Sequence, residues 1–367
     1  MRTTARKEWV YALLVLVLAV CYATLRFSTN VEDRNFSLES IYSFSVALPF
    51  GKRVLAPMVA HVVALFGLSV RSSFWVFEML SAMALMLGLR KVFQLAGDDK
   101  GAKAFSLFYM MILPNVTLIH RKFSTLYPWD TSAMAMIVWG IYCILAAKWV
   151  WMFVVMGVAS LNRESAVLLP LLFGAIWIER MPIWKCVLVA GGMFLVYGIC
   201  QWLISFTTAD NMAVSFYSFG GMWLEYKGNW QVNVNMEWLL ASCGNIWIWL
   251  SNMAWMPVLF VAFVKGMPGC FRRFGLVTWV YGAMLLFVGL VPEARLWGEM
   301  VAILYIPVGL GALGMMRGEA VWDRFLCVDG QKKGPNWLGW CEGAVAVLTL
   351  LAVVGGILFF RHLPIPR

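Results

Sequence analysis

Residues 9–27, WVYALLVLVLAVCYATLRF, form a nearly continuous apolar run that indicates the fold class of the protein. The run lacks the alternation of apolar and polar residues that marks a strand of a membrane β-barrel. It is long enough to cross about 30 Å of hydrocarbon as an α-helix. Because lipid offers no hydrogen-bond partners to the backbone, a single span of this kind must be helical. The run therefore predicts a transmembrane helix.

Apolar runs of this kind recur along the whole chain, which is 62% hydrophobic and only 13% charged, with a mean hydropathy of +0.78. Soluble proteins average about 25% charged residues. The sequence therefore predicts an all-α, polytopic transmembrane bundle of about 10–12 spans, with residues 1–367 as a single integral domain and no separate soluble domain. The clearest spans are 9–27, 73–92, 104–119, 131–148, 184–206, 239–264, 274–291, 298–316 and 341–360.

Two apolar regions contain polar interruptions, and each leaves two interpretations open. Region 41–69 carries Pro49, Lys52, Arg53 and Pro57, so it is either a full span or a helix lying in the membrane interface. Region 149–178 is interrupted at 162–165, so it is either one long span or a hairpin of two short helices. We favour an interfacial helix and a hairpin, because charges at the centre of a span cost several kcal/mol unless they are paired or hydrated.

Basic residues set the predicted orientation. With these two choices, segments 1–8, 93–103, 148–150, 179–185, 265–273 and 317–340 lie on one side, and they contain more than half of the 29 lysines and arginines. The positive-inside rule assigns that side to the cytosol. The basic segment before the first span has no small-residue cleavage site after it, so the span is retained and the N-terminus is cytosolic.

The net charge of +10 and the eight cysteines exclude other classes of function. Positive-inside loops and anionic lipid headgroups account for the charge, so it does not indicate nucleic-acid binding. The cysteines are scattered and show no CxxC spacing, so they predict neither a disulfide framework nor a zinc site.

In this topology, short polar clusters gather on the outer side of the membrane. Ionisable residues near or within spans are functional candidates. The clusters are Glu32–Arg34, Gly51–Arg53, His120–Lys122, Tyr127–Asp130, Asn162–Ser165 and Pro292–Arg295, followed by Glu299.

These clusters contain cations that could bind an anion, and carboxylates that could accept a proton from a substrate. Arginine's planar fork suits phosphate, and a carboxylate can deprotonate a hydroxyl nucleophile. The predicted phosphate or substrate ligands are Arg163, Arg295, Lys52, Arg53, His120, Arg121, Asp130, Glu164 and Glu293. The predicted catalytic acids are Asp33 and Glu32. No spacing demands a metal ion, although a divalent cation could join through Asp33 or Asp130.

Each of these residues also has a purely structural interpretation. Asp33 could be a solvated loop acid, and Asp130 could cap the helix that follows Pro128. Arg163 and Glu164 are adjacent, so each needs a partner elsewhere, for which the 293–295 cluster is the candidate. Glu299 lies four residues after Arg295, a spacing that predicts an ion pair along one helix.

The ordered set of clusters resembles the GT-C superfamily of membrane glycosyltransferases, which use polyprenyl-phosphate sugars. The resemblance rests on Glu32-Asp33 after the first span, the interfacial-looking region 41–69, and the segments 52–57, 127–130, 162–165 and 293–295. The chain is short for that superfamily and lacks the soluble C-terminal domain of many members. The resemblance implies a first external loop whose acidic pair provides the catalytic base.

Together, the residues and the resemblance predict a transferase of the cytoplasmic (inner) membrane, with membrane lipids and a polyprenyl-phosphate-linked sugar as partners. Its phosphate would lie against Arg163 and Arg295, and Asp33 would deprotonate the acceptor. A transporter or flippase of an anionic lipid or solute is the leading competing hypothesis, because the same arginines would bind its substrate. The sequence is also compatible with a polysaccharide polymerase or with a structural assembly subunit.

Overall fold

A computed structural model describes residues 2–32, 37–46, 50–97, 99–118, 125–207, 235–288, 291 and 293–318. The described residues form helices and no β-strand, apart from one isolated bridge between Val31 and Thr125. The predicted catalytic acid Asp33, the predicted ligands His120 and Arg121, and the predicted span 341–360 lie outside the described residues.

A helical stretch covers 235–241, and the α-helices with defined bounds are numbered in chain order. They are α1 (Arg2–Thr29), α2 (Leu38–Tyr42), α3 (Leu55–Ala64), α4 (Val70–Gln94), α5 (Asp99–Thr117), α6 (Asp130–Leu145), α7 (Trp149–Asn162), α8 (Leu168–Trp177), α9 (Ile183–Thr207), α10 (Cys243–Asn252), α11 (Met256–Phe263), α12 (Gly269–Val288) and α13 (Gly298–Arg317). Short 3-10 helices lie at Phe50–Lys52, Glu164–Val167, Val264–Gly266 and Ala294–Trp297.

Four helices of the described chain are long and apolar enough to cross a membrane: Lys7–Thr29, Val70–Gln94, Ile183–Phe206 and Ala294–Arg317. A fifth candidate is the bent pair Cys243–Asn252 and Met256–Gly266, whose two parts meet at 80°. The bend coincides with Ala254 and Trp255, which adopt left-handed backbone conformations with φ of 48° and 59°. Such conformations are rare for residues other than glycine.

The long helices differ in what surrounds them. Within Ala294–Arg317, 83% of the most apolar window is buried, so α13 runs through the core of the bundle. In α9 the corresponding share is only 17%, and apolar side chains such as Val187, Leu195 and Trp202 remain exposed. An apolar face of this length is the surface that a helix presents to lipid.

Ion pairs and hydrogen bonds define two ends of the bundle. At one end, Glu8 of α1 lies 2.9 Å from Arg90 of α4 and 2.5 Å from Lys103 of α5. At the other end, Arg26 of α1 contacts Asp130 at the start of α6. We call these the Lys103 end and the Asp130 end. Helices α1 and α4 are therefore antiparallel, whereas α1 and α5 run in the same direction.

The connection from α1 to α4 begins and ends at the Asp130 end. Arg71 at the start of α4 donates to the Phe27 carbonyl at 2.7 Å and to Glu32 at 2.7 Å, both at the end of α1. Within this connection, α3 has 10 residues, which span about 15 Å and are too short to cross about 30 Å of hydrocarbon. The connection that contains region 41–69 thus makes no net crossing of the bundle.

Region 149–178 folds back on itself as a hairpin. Trp149 at the start of α7 lies 4.8 Å, between ring centroids, from Trp177 at the end of α8. Between the two helices, Arg163 is extended, with φ −162° and ψ 153°. A continuous helix would separate the two tryptophans by about 42 Å. The hairpin interpretation is therefore correct, and it places the turn 162–165 at the Asp130 end, where Asn162 hydrogen-bonds to Ser132 and to the Trp129 carbonyl.

Candidate functional site

An inner cluster of ionised side chains lies at the Asp130 end, just below the surface. It consists of Arg26, Glu78, Asp130, Arg163 and Glu299. Their side chains are between 0% and 6% exposed. They come from α1, α4, α6, α13 and the turn of the hairpin. Burial of so many charges costs free energy unless each is paired and hydrogen-bonded, so each is expected to have a partner.

Arg26 is the most extensively bonded member of the inner cluster. Its Nη1 donates to Glu78 at 2.5 Å and to Thr131 at 2.7 Å, and its Nη2 donates to the Tyr127 carbonyl at 2.7 Å and to Asp130 at 3.1 Å. Thr131 also donates to Glu78. These contacts join α1, α4 and α6, so Arg26 and Glu78 connect three helices through one polar network.

Asp130 lies between three arginines. Its Oδ2 faces Arg26, and its Oδ1 lies 3.4 Å from Nη1 of Arg163 and 3.7 Å from Nη1 of Arg295. The suggestion that Asp130 caps a helix is wrong, because it is the first residue of α6 and the cap position belongs to Trp129. A carboxylate in the first turn still interacts favourably with the helix dipole.

Arg163 and Glu299 form the second half of the inner cluster. Nη1 of Arg163 lies 3.0 Å from Glu299, which also accepts a hydrogen bond from Ser165 at 2.8 Å. The expected pair of Arg295 with Glu299 is wrong, since Glu293 is the partner of Arg295, at 2.5 Å. The reason is local: residues 294–297 form a 3-10 helix, in which residues four apart do not share a face.

Two outer pairs lie between the inner cluster and the surface. One is Arg53 with Glu164, joined at 3.2 Å, and the other is Arg295 with Glu293. Glu164 is 39% exposed, which makes it the most accessible carboxylate of the inner cluster and the outer pairs. Arg163 and Glu164 do find separate partners, because the extended backbone at Arg163 sends the two side chains in different directions. The expected pairing with the 293–295 cluster is wrong, since Arg163 binds Glu299 and Glu164 binds Arg53.

Three aromatic rings separate the two outer arginines. The centroids of Phe50, Tyr127 and Trp129 lie 5.5–5.9 Å apart. The Arg53 guanidinium lies 5.0 Å from the rings of both Phe50 and Trp129, and that of Arg295 lies 3.6 Å from the Tyr127 ring. The five side chains form a continuous rim, and we use that name for them together with Glu164 and Glu293.

The rim contains buried polar atoms that find no hydrogen-bond partner among the described residues. The donors are Nε and Nη1 of Arg53, Nη1 of Arg295 and Nε1 of Trp129, and the acceptor is Oε1 of Glu164. An unsatisfied buried polar atom costs about 1–3 kcal/mol. Burial lowers the pKa of Arg53, Glu164 opposes this shift, and the positive charges of Arg163 and Arg295 add to it. A bound anion would relieve both costs.

The remaining predicted residues lie near the rim or apart from it. Lys52 belongs to the 3-10 helix next to Arg53 and forms no ion pair within the described chain. Glu32 is engaged by Arg71 and by the backbone N–H of Leu38. No group of three or more His, Cys, Asp or Glu side chains that could hold a metal ion occurs in the described ranges.

Arg26, Glu78 and a role for the aromatic rings of the rim were not predicted from the sequence. Arg26 and Glu78 lie inside predicted spans, and an ionisable residue in an apolar span is a signal that could have identified them. Phe50 and Trp129 gave no comparable signal, because aromatic residues are common throughout this chain.

No known protein-family model matches this sequence, and no curated protein matches it significantly.

Proposed function

We propose that this chain is a membrane glycosyltransferase that moves a sugar from a polyprenyl-phosphate donor to an acceptor hydroxyl. The observation that carries the proposal is the rim: two buried arginines retain unused N–H donors, beside three packed aromatic rings and a carboxylate with an unused oxygen. Guanidinium groups suit phosphate, and Phe50, the half-buried ring of the three, offers apolar surface for a sugar. The resemblance to GT-C enzymes supports the same function.

The proposed placement in the membrane follows from the two ends of the bundle. The Lys103 end carries a series of basic residues, among them Lys91, Lys100, Lys148, Lys185, Lys265, Arg272 and Arg317. The positive-inside rule assigns this end to the cytosol and the Asp130 end to the outer face of the cytoplasmic membrane. In this placement α2 and α3 lie in the outer interface. The four or five long candidate spans, together with the shorter helices α5, α6, α7, α8 and α12, make up about 10–12 spans.

The geometry changes the expected role of Arg163. Two carboxylates already neutralise it, and its side chain is only 6% exposed. Arg53 and Arg295 are therefore the better ligands for phosphate, whereas Arg163 positions Asp130 and Glu299. Asp33, proposed as the base from the sequence, is one candidate for deprotonating the acceptor.

The experiment is transfer of radiolabelled sugar by the purified protein in lipid nanodiscs. A panel of polyprenyl-phosphate hexoses and pentoses serves as donors, and an envelope-polysaccharide fraction serves as acceptor. The proposal expects label to move from the lipid to the acceptor with at least one donor, and to be lost in the Arg53→Gln/Arg295→Gln double variant. Absence of transfer from every donor would reject it.

A transporter of an anionic lipid is the second candidate, and one observation favours it. Transporters contain discontinuous helices near the substrate. The described chain has one break of this kind, at 253–255, where two helices meet at 80°. Movement of a fluorescent polyprenyl phosphate across vesicles, without any transfer of sugar, would favour transport over transfer.

A further inference from the structure

We infer that Glu164 is the carboxylate that deprotonates the acceptor in this proposed transfer reaction. The inference rests on the proposed function and assigns the base to the turn of the hairpin, rather than to the acidic pair that follows α1. It comes from comparing what Glu32 and the carboxylates of the inner cluster and the outer pairs already bind.

Most of these carboxylates are already engaged by cations or are inaccessible. Asp130 faces three arginines, and Glu293 is held by Arg295. Glu32 is bound by Arg71 and by a backbone N–H. Glu78 and Glu299 each keep one unpaired oxygen, but their side chains are 0% and 1% exposed. None of them combines an unused oxygen with a partly exposed side chain.

Glu164 combines both properties. Its Oε2 binds Arg53 at 3.2 Å, its Oε1 has no hydrogen-bond partner among the described residues, and its side chain is 39% exposed. Oε1 itself is covered, so it is an acceptor with an unmet hydrogen bond. A hydroxyl group that donates to Oε1 would satisfy that atom, and this is the contact that a general base makes with its substrate.

The proton transfer is coupled to the binding of phosphate. The acceptor hydroxyl gives its proton to Oε1 of Glu164, and the hydroxyl oxygen forms a bond to the anomeric carbon of the sugar. The bond between that carbon and the phosphate oxygen breaks, and its electron pair stays on the phosphate. Protonation removes the negative charge from Glu164, so Arg53 loses its partner as the leaving phosphate gains charge. Arg53 can then bind the phosphate with more of its donors.

The Arg53 guanidinium keeps an anionic partner throughout the proposed reaction. In the resting structure, Glu164 lowers the electrostatic cost of holding Arg53 beside Arg163 and Arg295. During transfer the phosphate takes over that role, so the buried guanidinium is compensated both before and after the reaction. Because Glu164 is partly exposed, its proton can then pass to outside water.

The test is steady-state kinetics of sugar transfer in nanodiscs, as a function of pH, for Glu164→Gln and Glu164→Asp. Rival variants are Asp33→Asn and Glu32→Gln. Glu179→Gln is the matched control, because Glu179 lies at the Lys103 end and pairs with Arg273. Loss of a general base typically costs about 10²–10⁴-fold in rate.

The inference expects kcat of Glu164→Gln to fall by about 100-fold or more, with little change in KM for the donor and loss of the acidic limb of the pH–rate profile. Glu164→Asp retains the acidic limb at a reduced rate, and it serves as the second variant if Glu164→Gln does not fold. A purely structural partner of Arg53 would instead raise the donor KM and keep the limb.

Two results would overturn the inference while the proposed function survives. One is wild-type transfer that Glu164→Gln leaves within about threefold, and the other is loss of the acidic limb in Asp33→Asn but not in Glu164→Gln. Wild-type protein that transfers no sugar at all would instead reject the proposed function itself.

Discussion

The inner cluster and the rim use the same residue types in opposite ways. In the inner cluster, Arg26 reaches four acceptors with two nitrogens and leaves only Nε unpaired. In the rim, Arg53 reaches one carboxylate and leaves both Nε and Nη1 unpaired. A buried arginine therefore does not by itself mark a binding site. Unused donors beside an accessible surface distinguish the group that binds from the group that holds helices together.

The largest expected effect comes from breaking the inner cluster. Arg26→Met leaves Glu78 and Asp130 without their shared cation, so the free energy of unfolding should fall by about 3–5 kcal/mol. Thermal unfolding in detergent and the yield of monodisperse protein measure the effect. The Arg26→Met/Glu78→Met double variant should lose less stability than the sum of the single losses. Strict additivity would show that the two residues do not form one unit.

Substitutions in the rim should weaken the binding of phosphate rather than lower the free energy of unfolding. Arg53→Gln and Arg295→Gln should each weaken binding of polyprenyl monophosphate about tenfold or more, because a hydrogen bond to a charged group contributes about 1.5–3 kcal/mol. Polyprenol, which has no phosphate, should bind equally to all variants. Native mass spectrometry of titrated nanodiscs measures both ligands.

Arg163→Gln is the matched comparison for the rim variants. Its guanidinium is committed to Asp130 and Glu299, so its loss should lower the unfolding temperature more than either rim substitution does. If Arg163→Gln folds normally and loses phosphate binding while Arg53→Gln keeps it, the division between inner cluster and rim is wrong.

A smaller effect is expected at the turn of the hairpin. Ser165→Ala removes a 2.8 Å hydrogen bond to the buried Glu299, although Arg163 still neutralises that carboxylate. Stability should fall by about 1–3 kcal/mol. Ser40→Ala, at a half-buried position of α2, offers a control for general loss of a hydroxyl group. Equal effects at both sites would argue against tight coupling between the hairpin and α13.

The smallest effect is expected at the Lys103 end. Burial raises the pKa of Asp99, but hydrogen bonds from Lys103, Arg90 and Gln94 outweigh it, so the pKa lies well below its usual range. A lowered pKa in the folded state adds stability above the unfolded pKa of about 4, and this stability is lost as the pH falls below it. Because Asp99 is 48% exposed, Asp99→Asn should cost less than about 1 kcal/mol at pH 7.

The pH dependence provides the check on Asp99. The difference in unfolding temperature between wild type and Asp99→Asn should shrink as the pH is lowered from about 5 towards 3. This range brackets the pKa of a free aspartate, which is about 4. A difference that grows at low pH would contradict the sign of the shift.

The sequence predicted the helical class, the return of the α1–α4 connection and the hairpin at 149–178. These features follow from apolar length and from the cost of burying charge, which are local properties. It also selected Arg53, Asp130, Arg163, Glu164, Glu293 and Arg295, which the structure brings together at one end. The partners could not be predicted, because Arg163–Glu299 and Arg53–Glu164 join residues more than 100 positions apart. Local spacing even suggested the wrong partner for Arg295.

The most direct test of the central claim compares sugar transfer by wild-type protein with that of two double variants in nanodiscs. Arg53→Gln/Arg295→Gln removes the unused donors of the rim, and Arg90→Gln/Lys103→Gln removes as much positive charge at the opposite end. We expect transfer by wild type and by the Lys103-end variant, and a loss of about 100-fold or more in the folded rim variant. A rim variant that binds polyprenyl phosphate and transfers sugar as well as wild type would contradict it.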